Sequence, residues 1–212
     1  MILVMGLIGL VASVLLVATY VVTEPYIEAN LAAYLEKAIS EVLPETQSRS
    51  TFFIEDDAIR ADDGTDQNGI RIFAGYDADS VLTGIVVEAQ GQGYADVIRL
   101  IYSYSLDCAC IVGLKVLESR ETPGLGDKIE KDPVFLANFR KLDVRWSENE
   151  QAVTGLLELI KRGELTAAWQ IHGISGATIS SQAITDILNT SNRFVLPVLH
   201  ANKGLFTTDS NE

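Results

Sequence analysis

The chain has 212 residues, 48% hydrophobic and 21% charged, and its 29 acids against 16 bases leave a formal charge of −13. This composition excludes a disordered chain, and the acidic balance argues against nucleic acid or an anionic membrane surface as partners. The acidic surface is compatible with solubility alone or with a partner-directed role.

Residues 2–22 carry no charge and are rich in Val, Leu and Ile, long enough as a helix to cross a hydrocarbon core of roughly 30 Å. A secretory signal would want a basic start, an apolar core of about 7–15 residues and a small-x-small cleavage site. The stretch "LVATYVV" offers bulky valines and Tyr20 at the expected interface instead, so residues 1–23 read as an uncleaved transmembrane anchor. No Lys or Arg precedes the span, and Glu24, Glu28, Glu36 and Lys37 follow it. This leans toward an outside domain, but the basic residues are too few to fix topology. Residues 24–44 read as a helical stalk, with Ile27, Leu31, Leu35, Ile39 and Val42 at helical spacing and Pro44 ending it. Residues 45–212 form the remaining domain.

Residues 56–69 are acidic and loop-like, with room for short strands on either side. "GIRIFAGYD", "LTGIVVEAQGQGY", "VIRLIYSYSL" and "IVGLKVLESR" then predict a meander of antiparallel strands bounded by Gly and Asp turns. Cys108 and Cys110 cannot make a tetrahedral metal site by themselves. A bridge across one residue would be strained, leaving a structural or incidental role, with thiol redox chemistry as the alternative. Asp132 before Pro133 reads as an N-cap opening the helix "PVFLANFRKL". Residues 151–163, "QAVTGLLELIKRG", have helical periodicity, with Lys161 and Arg162 in the last turn and Gly163 beyond it. "ELTAAWQIH" alternates Leu165, Ala167, Trp169 and Ile171 as a half-buried strand, and Ile179, Ala183, Ile184, Ile187 and Leu188 mark one face of a following helix. The expected class is α+β, an antiparallel sheet flanked by helices behind a single transmembrane helix.

Two stretches carry chemistry. "HGISGATISS", residues 172–181, stands at a strand-to-helix junction, where free N–H groups and the helix dipole favour an anion, phosphate above all. Gly176 and Ala177 let the backbone approach, and Thr178 presents its hydroxyl; the competing reading is a plain helix cap. In "ETPGLGDKIE", residues 121–130, Pro123 and Gly124 have the residue choice of a type II turn. Gly126 keeps a second position free of Cβ, so a flat backbone surface could meet a planar ligand; a simple hairpin or loop turn is the competing reading.

Together these residues carry a resemblance. "SGAT" before a helix, an upstream "ETPGLGDKIE" and an N-terminal anchor resemble the FMN-binding G subunit of Rnf-type ion-translocating electron-transport complexes. The chain is similar in second place to the homologous C subunit of the sodium-pumping NADH:quinone oxidoreductase. The resemblance implies FMN joined through its phosphate to Thr178 as a phosphoester. Ser175, Gly176 and Ala177 would be the recognition context of a flavin transferase. Glu121, Thr122, Pro123, Gly124, Leu125 and Gly126 would lie near the isoalloxazine, Leu125 in particular. It implies further membrane and redox subunits as partners, and a single-pass protein of the bacterial inner membrane with its domain on the periplasmic side. One departure stands out: the family's recognition pattern has an acid three residues before the motif's Ser or Thr, and here that place is His172. The other functional readings are a cofactor-free, membrane-anchored interaction module and a hydrolase; "SGATIS" lacks the G-x-S-x-G of the latter.

Overall fold

The computed structural model of the protein describes residues 1–55, 58–62 and 69–206. Contacts divide the chain into Met1–Lys37 and Ala38–Glu212. Helix α1 runs unbroken over Ile2–Val42 with Pro25 inside it, and its first part is apolar and exposed along its length. It is long and apolar enough to cross a membrane. It ends two residues before Pro44.

The folded body is α+β. Seven strands, β1 (Ser48–Glu55), β2 (Ala58–Ala61), β3 (Ile70–Tyr76), β4 (Leu82–Gln92), β5 (Val97–Ser105), β6 (Cys110–Glu118) and β7 (Leu142–Asp143), form one antiparallel sheet in the order β2-β1-β3-β4-β5-β6-β7. The four expected strands are β3 to β6. β1 and β2 flank residues 56–57, and the rest of the acidic segment, residues 63–68, lies outside the described residues.

Both sheet faces are covered, which explains why β5 reads as a nearly continuous apolar run. On one face Ile85, Val87, Leu100, Tyr102 and Val116 pack in a single core with Ile184, Leu188, Val195 and Leu199 of the helix Thr178–Ala201 (α3). On the other, Ala38, Ile39, Val42 and Leu43 are buried, and the Ser103 hydroxyl donates to Val42 O at 2.7 Å. The expected core face of α3 is right at four positions and wrong at Ile179, which is 60% exposed.

Asp132 caps helix α2 (Pro133–Ala137), its carboxylate accepting from the N–H groups of Val134 and Phe135 at 2.9 Å each. These bonds, that from Phe135 foremost, together with Arg162 hold the carboxyl below its ordinary range.

Three expectations fail, two between β6 and α3 and one at the entry to β6. Residues 151–163 are not a helix. They form β9 (Ala152–Val153), paired with β8 (Trp146–Ser147), and then β10 (Glu158–Ile160), which runs parallel to β11 (Gln170–His172). The Asn189 side chain takes both the N–H and the carbonyl of Leu157, at 2.8 and 3.1 Å, giving this backbone the partners a helix would have supplied. The half-buried strand is only its last three residues. Ahead of it the Gln170 side-chain oxygen gathers Thr166 N, Thr166 Oγ1 and Ala167 N into a turn, and Leu165 is exposed. Finally, Cys108 and Cys110 are joined as a disulfide. Ala109 between them takes φ 49°, and the two Cα atoms are 5.2 Å apart, inside the usual range for a bridge.

Candidate functional site

The two singled-out stretches meet. Thr122 to Leu125 form a β-turn, with Leu125 N–H donating to Thr122 O at 3.1 Å and Gly124 at φ 79°, the left-handed value that a type II turn demands of its third residue. Asp127 fastens the turn from below: its Oδ1 accepts from Gly124 N at 2.7 Å and its Oδ2 from Lys131 Nζ at 2.8 Å. The Lys131 bond is the main reason its carboxyl lies below the ordinary range. Thr122, Pro123, Gly124 and Leu125 are exposed, while Glu121 and Gly126 are buried.

The second stretch approaches from β11. Asn138 receives the His172 N–H at 3.1 Å and donates to His172 O at 3.3 Å, fixing the strand just before the motif. His172 itself is half-buried, its Nδ1 facing Gly163 N at 3.4 Å. Ile174 N–H is taken by the Ser181 hydroxyl at 3.2 Å and Ile174 O by Ala177 N at 3.0 Å, so the SGAT segment is a tight loop closed on the helix it precedes. Gly176 sits at φ 82°, and a Cβ there would come within 3.9 Å of Leu125 Cδ2, which places the two loops side by side.

Thr178 is the first residue of α3. The helix is not capped by any side chain: Ala177 occupies the N-cap position, and Ser175 and Thr178 are exposed with hydroxyls that make no hydrogen bond among the described residues. The cap reading therefore fails for both. The hydroxyls with structural work are the next two: Ser181 donates to Ala177 O at 2.9 Å, and Ser180 donates to Glu121 Oε2 at 2.5 Å. What stands exposed are two unengaged hydroxyls, Ser175 in the loop and Thr178 at the positive end of a long helix, with a Pro-Gly turn beside the loop.

Ser180, Asn138 and Asp127 were missed as site residues in the sequence. A serine inside a helix and an asparagine in an unrelated segment have no local signature, since their partners lie 59 and 34 residues away. A cavity of about 570 Å³ between Phe53, Arg71, Glu88, Ile187 and Phe194 contains none of the motif residues. No cluster of metal-ligating side chains occurs among the described residues.

Comparison with known proteins assigns this geometry. The FMN-binding domain family matches residues 93–191, which include both stretches. The G subunit of the ion-translocating oxidoreductase complex of Methanosarcina acetivorans is 32% identical over 192 residues, 90% of this chain and 90% of its own length. Its namesake from Cereibacter sphaeroides is 34% identical over 128 residues, 60% of this chain and 56% of that protein. The fold is that of NqrC from Shewanella oneidensis, with TM-score 0.64 at 16% identity over 84% of this chain and 98% of the other. It is likewise that of the C subunit of the Na(+)-translocating NADH-quinone reductase from Parabacteroides distasonis, with TM-score 0.56 at 23% identity over 78% and 80%. The chain belongs to the FMN-binding family of G subunits of ion-translocating oxidoreductase complexes.

Proposed function

We propose that this protein is the electron-carrying subunit of a membrane ferredoxin:NAD oxidoreductase complex of Rnf type, holding FMN as a phosphoester on Thr178. One observation carries the reading: Thr178 is exposed, makes no hydrogen bond among the described residues and begins an uncapped helix two residues after Gly176, which faces Leu125. The FMN-binding match and the complex named for the Methanosarcina relative support it.

When bound, FMN supplies the redox chemistry. The chain's own residues tether and orient. The Thr178 oxygen would hold the phosphate, and the first-turn N–H groups of α3 would face its remaining negative charge. Ser175, Gly176 and Ala177 would present that oxygen to a flavin transferase, and the turn Thr122 to Gly126 would lie against the ring with Leu125 as its apolar edge. The chain has no substrate reaction of its own and would pass electrons between neighbouring subunits of the complex. Residues 1–23 would anchor it, 24–44 form the stalk and 45–212 the FMN-binding domain on the extracytoplasmic side, where an untethered flavin would be lost.

The test is to produce the full chain beside a flavin transferase and measure its intact mass and its fluorescence on a denaturing gel. The wild type is expected to gain one FMN less one water and Thr178→Ala to gain nothing. His172→Asp is expected to be modified at least as completely as the wild type. Loss of the band in all three, with no binding of free FMN, would contradict the proposal.

A further inference from the structure

Glu121 is the only buried carboxylate among the described residues, 5% exposed, and no Lys, Arg or His forms an ion pair with it. Its oxygens are divided between two other segments. Oε1 accepts from Tyr94 N at 2.8 Å and Ala95 N at 3.0 Å, and Oε2 accepts from Ser180 Oγ. Glycines stand where the carboxylate is tightest: a Cβ on Gly93 would lie 2.5 Å from Oε1, and one on Gly126 2.5 Å from Oε2 and 2.8 Å from Ser180 Oγ. A buried charge satisfied only by hydrogen bonds is costly to disturb, because each donor it loses leaves it less compensated. Glu121 is therefore a latch joining the loops of Tyr94 and Glu121 to the first turn of α3.

The latch has a consequence at the surface. Each joined segment carries one large apolar side chain in solvent: Tyr94 is 64% exposed, Leu125 50% and Ile179 60%. Leu125 faces Gly176, two residues before Thr178, and Ile179 follows it in the chain; through Glu121 the Tyr94 backbone is tied to Ser180, two residues beyond Thr178. Apolar groups gathered from three segments mark a surface to be covered, and an aromatic ring is suited to cover a planar one by offset stacking.

We infer that the loop carrying Tyr94, pinned by Glu121, is a third wall of the flavin site, with the Tyr94 phenol in contact with the isoalloxazine. This rests on the proposed function above. A phenol in van der Waals contact quenches flavin fluorescence by giving an electron to the excited ring, whereas phenylalanine stacks without being readily oxidised. The experiment uses the full chain produced with a flavin transferase, comparing wild type, Tyr94→Phe, Tyr94→Leu, Glu121→Gln and Ser180→Ala. Flavin content is read by intact mass, fluorescence per bound flavin by steady-state emission, and amide hydrogen exchange at Tyr94 and Ala95 by mass spectrometry.

With flavin content retained, both Tyr94 variants are expected to raise fluorescence per flavin several-fold. Glu121→Gln is expected to speed exchange at the two amides by about tenfold and to raise fluorescence in the same direction, with Ser180→Ala intermediate. If flavin-loaded Tyr94→Phe and Tyr94→Leu emit as the wild type does, the wall is refuted while the flavin reading stands. Unchanged exchange in Glu121→Gln would refute the latch. A wild type without flavin would overturn both readings.

Discussion

The two ends of α3 treat hydroxyl and ring groups in opposite ways. Toward its C-terminal half, Ser191 bonds the Tyr102 phenol at 2.8 Å, and His200 Nε2 meets the Tyr104 phenol at 2.8 Å while its ring stacks on Trp146 at 3.9 Å. Burial raises the pKa of both tyrosines. At the N-terminus Ser180 and Ser181 are likewise engaged, but Thr178, between them and the glycine loop, is not. Groups that hold the fold are partnered and buried. Thr178, the proposed attachment point, stands in solvent among residues held by hydrogen bonds.

That contrast can be broken by substitution. Thr178→Ala is expected to show the largest effect on function and almost none on stability: complete loss of bound flavin, with unfolding free energy within about 0.5 kcal/mol of wild type by denaturant titration in detergent. At the buried end the reverse holds. Ile184→Ala, in the core between α3 and the sheet, is expected to cost about 2–5 kcal/mol while the molecules that remain folded keep their flavin. Tyr102→Phe strands the Ser191 hydroxyl and is expected to cost about 1–2 kcal/mol. Asp132→Ala, which removes the cap of α2, is expected to cost about 1 kcal/mol.

The smallest effect is a pH dependence at His200. Burial lowers its pKa from the ordinary 6.5, with Glu148 opposing and Lys203 adding to the shift. A base whose folded pKa is depressed is bound as the neutral form, so its contribution is complete above pH 6.5 and is lost as pH falls from there through the folded value. Thermal unfolding between pH 8 and 5 is expected to show that decline, and His200→Gln to flatten it.

The meander and the motif helix were legible because each is written in a local period: alternation and turn residues for β3 to β6, and i, i+3, i+4 spacing for α3. The Pro-Gly turn was legible for the same reason, since φ 79° at Gly124 needs glycine. What failed was nonlocal. Residues 151–163 have a helical apolar spacing, yet Asn189, far along the chain, satisfies Leu157 in an extended form. The pairing of Cys108 with Cys110 depends on Ala109 entering a left-handed conformation, which its identity does not announce. In the site, the resemblance implied that the loop from Glu121 to Gly126 lies near the ring; the partners of the Glu121 side chain, Tyr94, Ala95 and Ser180, lie far along the chain and leave no local signal.

The proposed attachment concerns one oxygen atom, and peptide mapping of the flavin-bearing chain tests it most directly. Tryptic cleavage after Arg162 and Arg193 releases residues 163–193, which contain Ser175, Thr178, Ser180 and Ser181 on one fragment. Tandem mass spectrometry is expected to place FMN less one water on Thr178 alone. Placement on any other hydroxyl of the fragment, or an unmodified peptide from protein that fluoresces after denaturation, would contradict the proposed attachment.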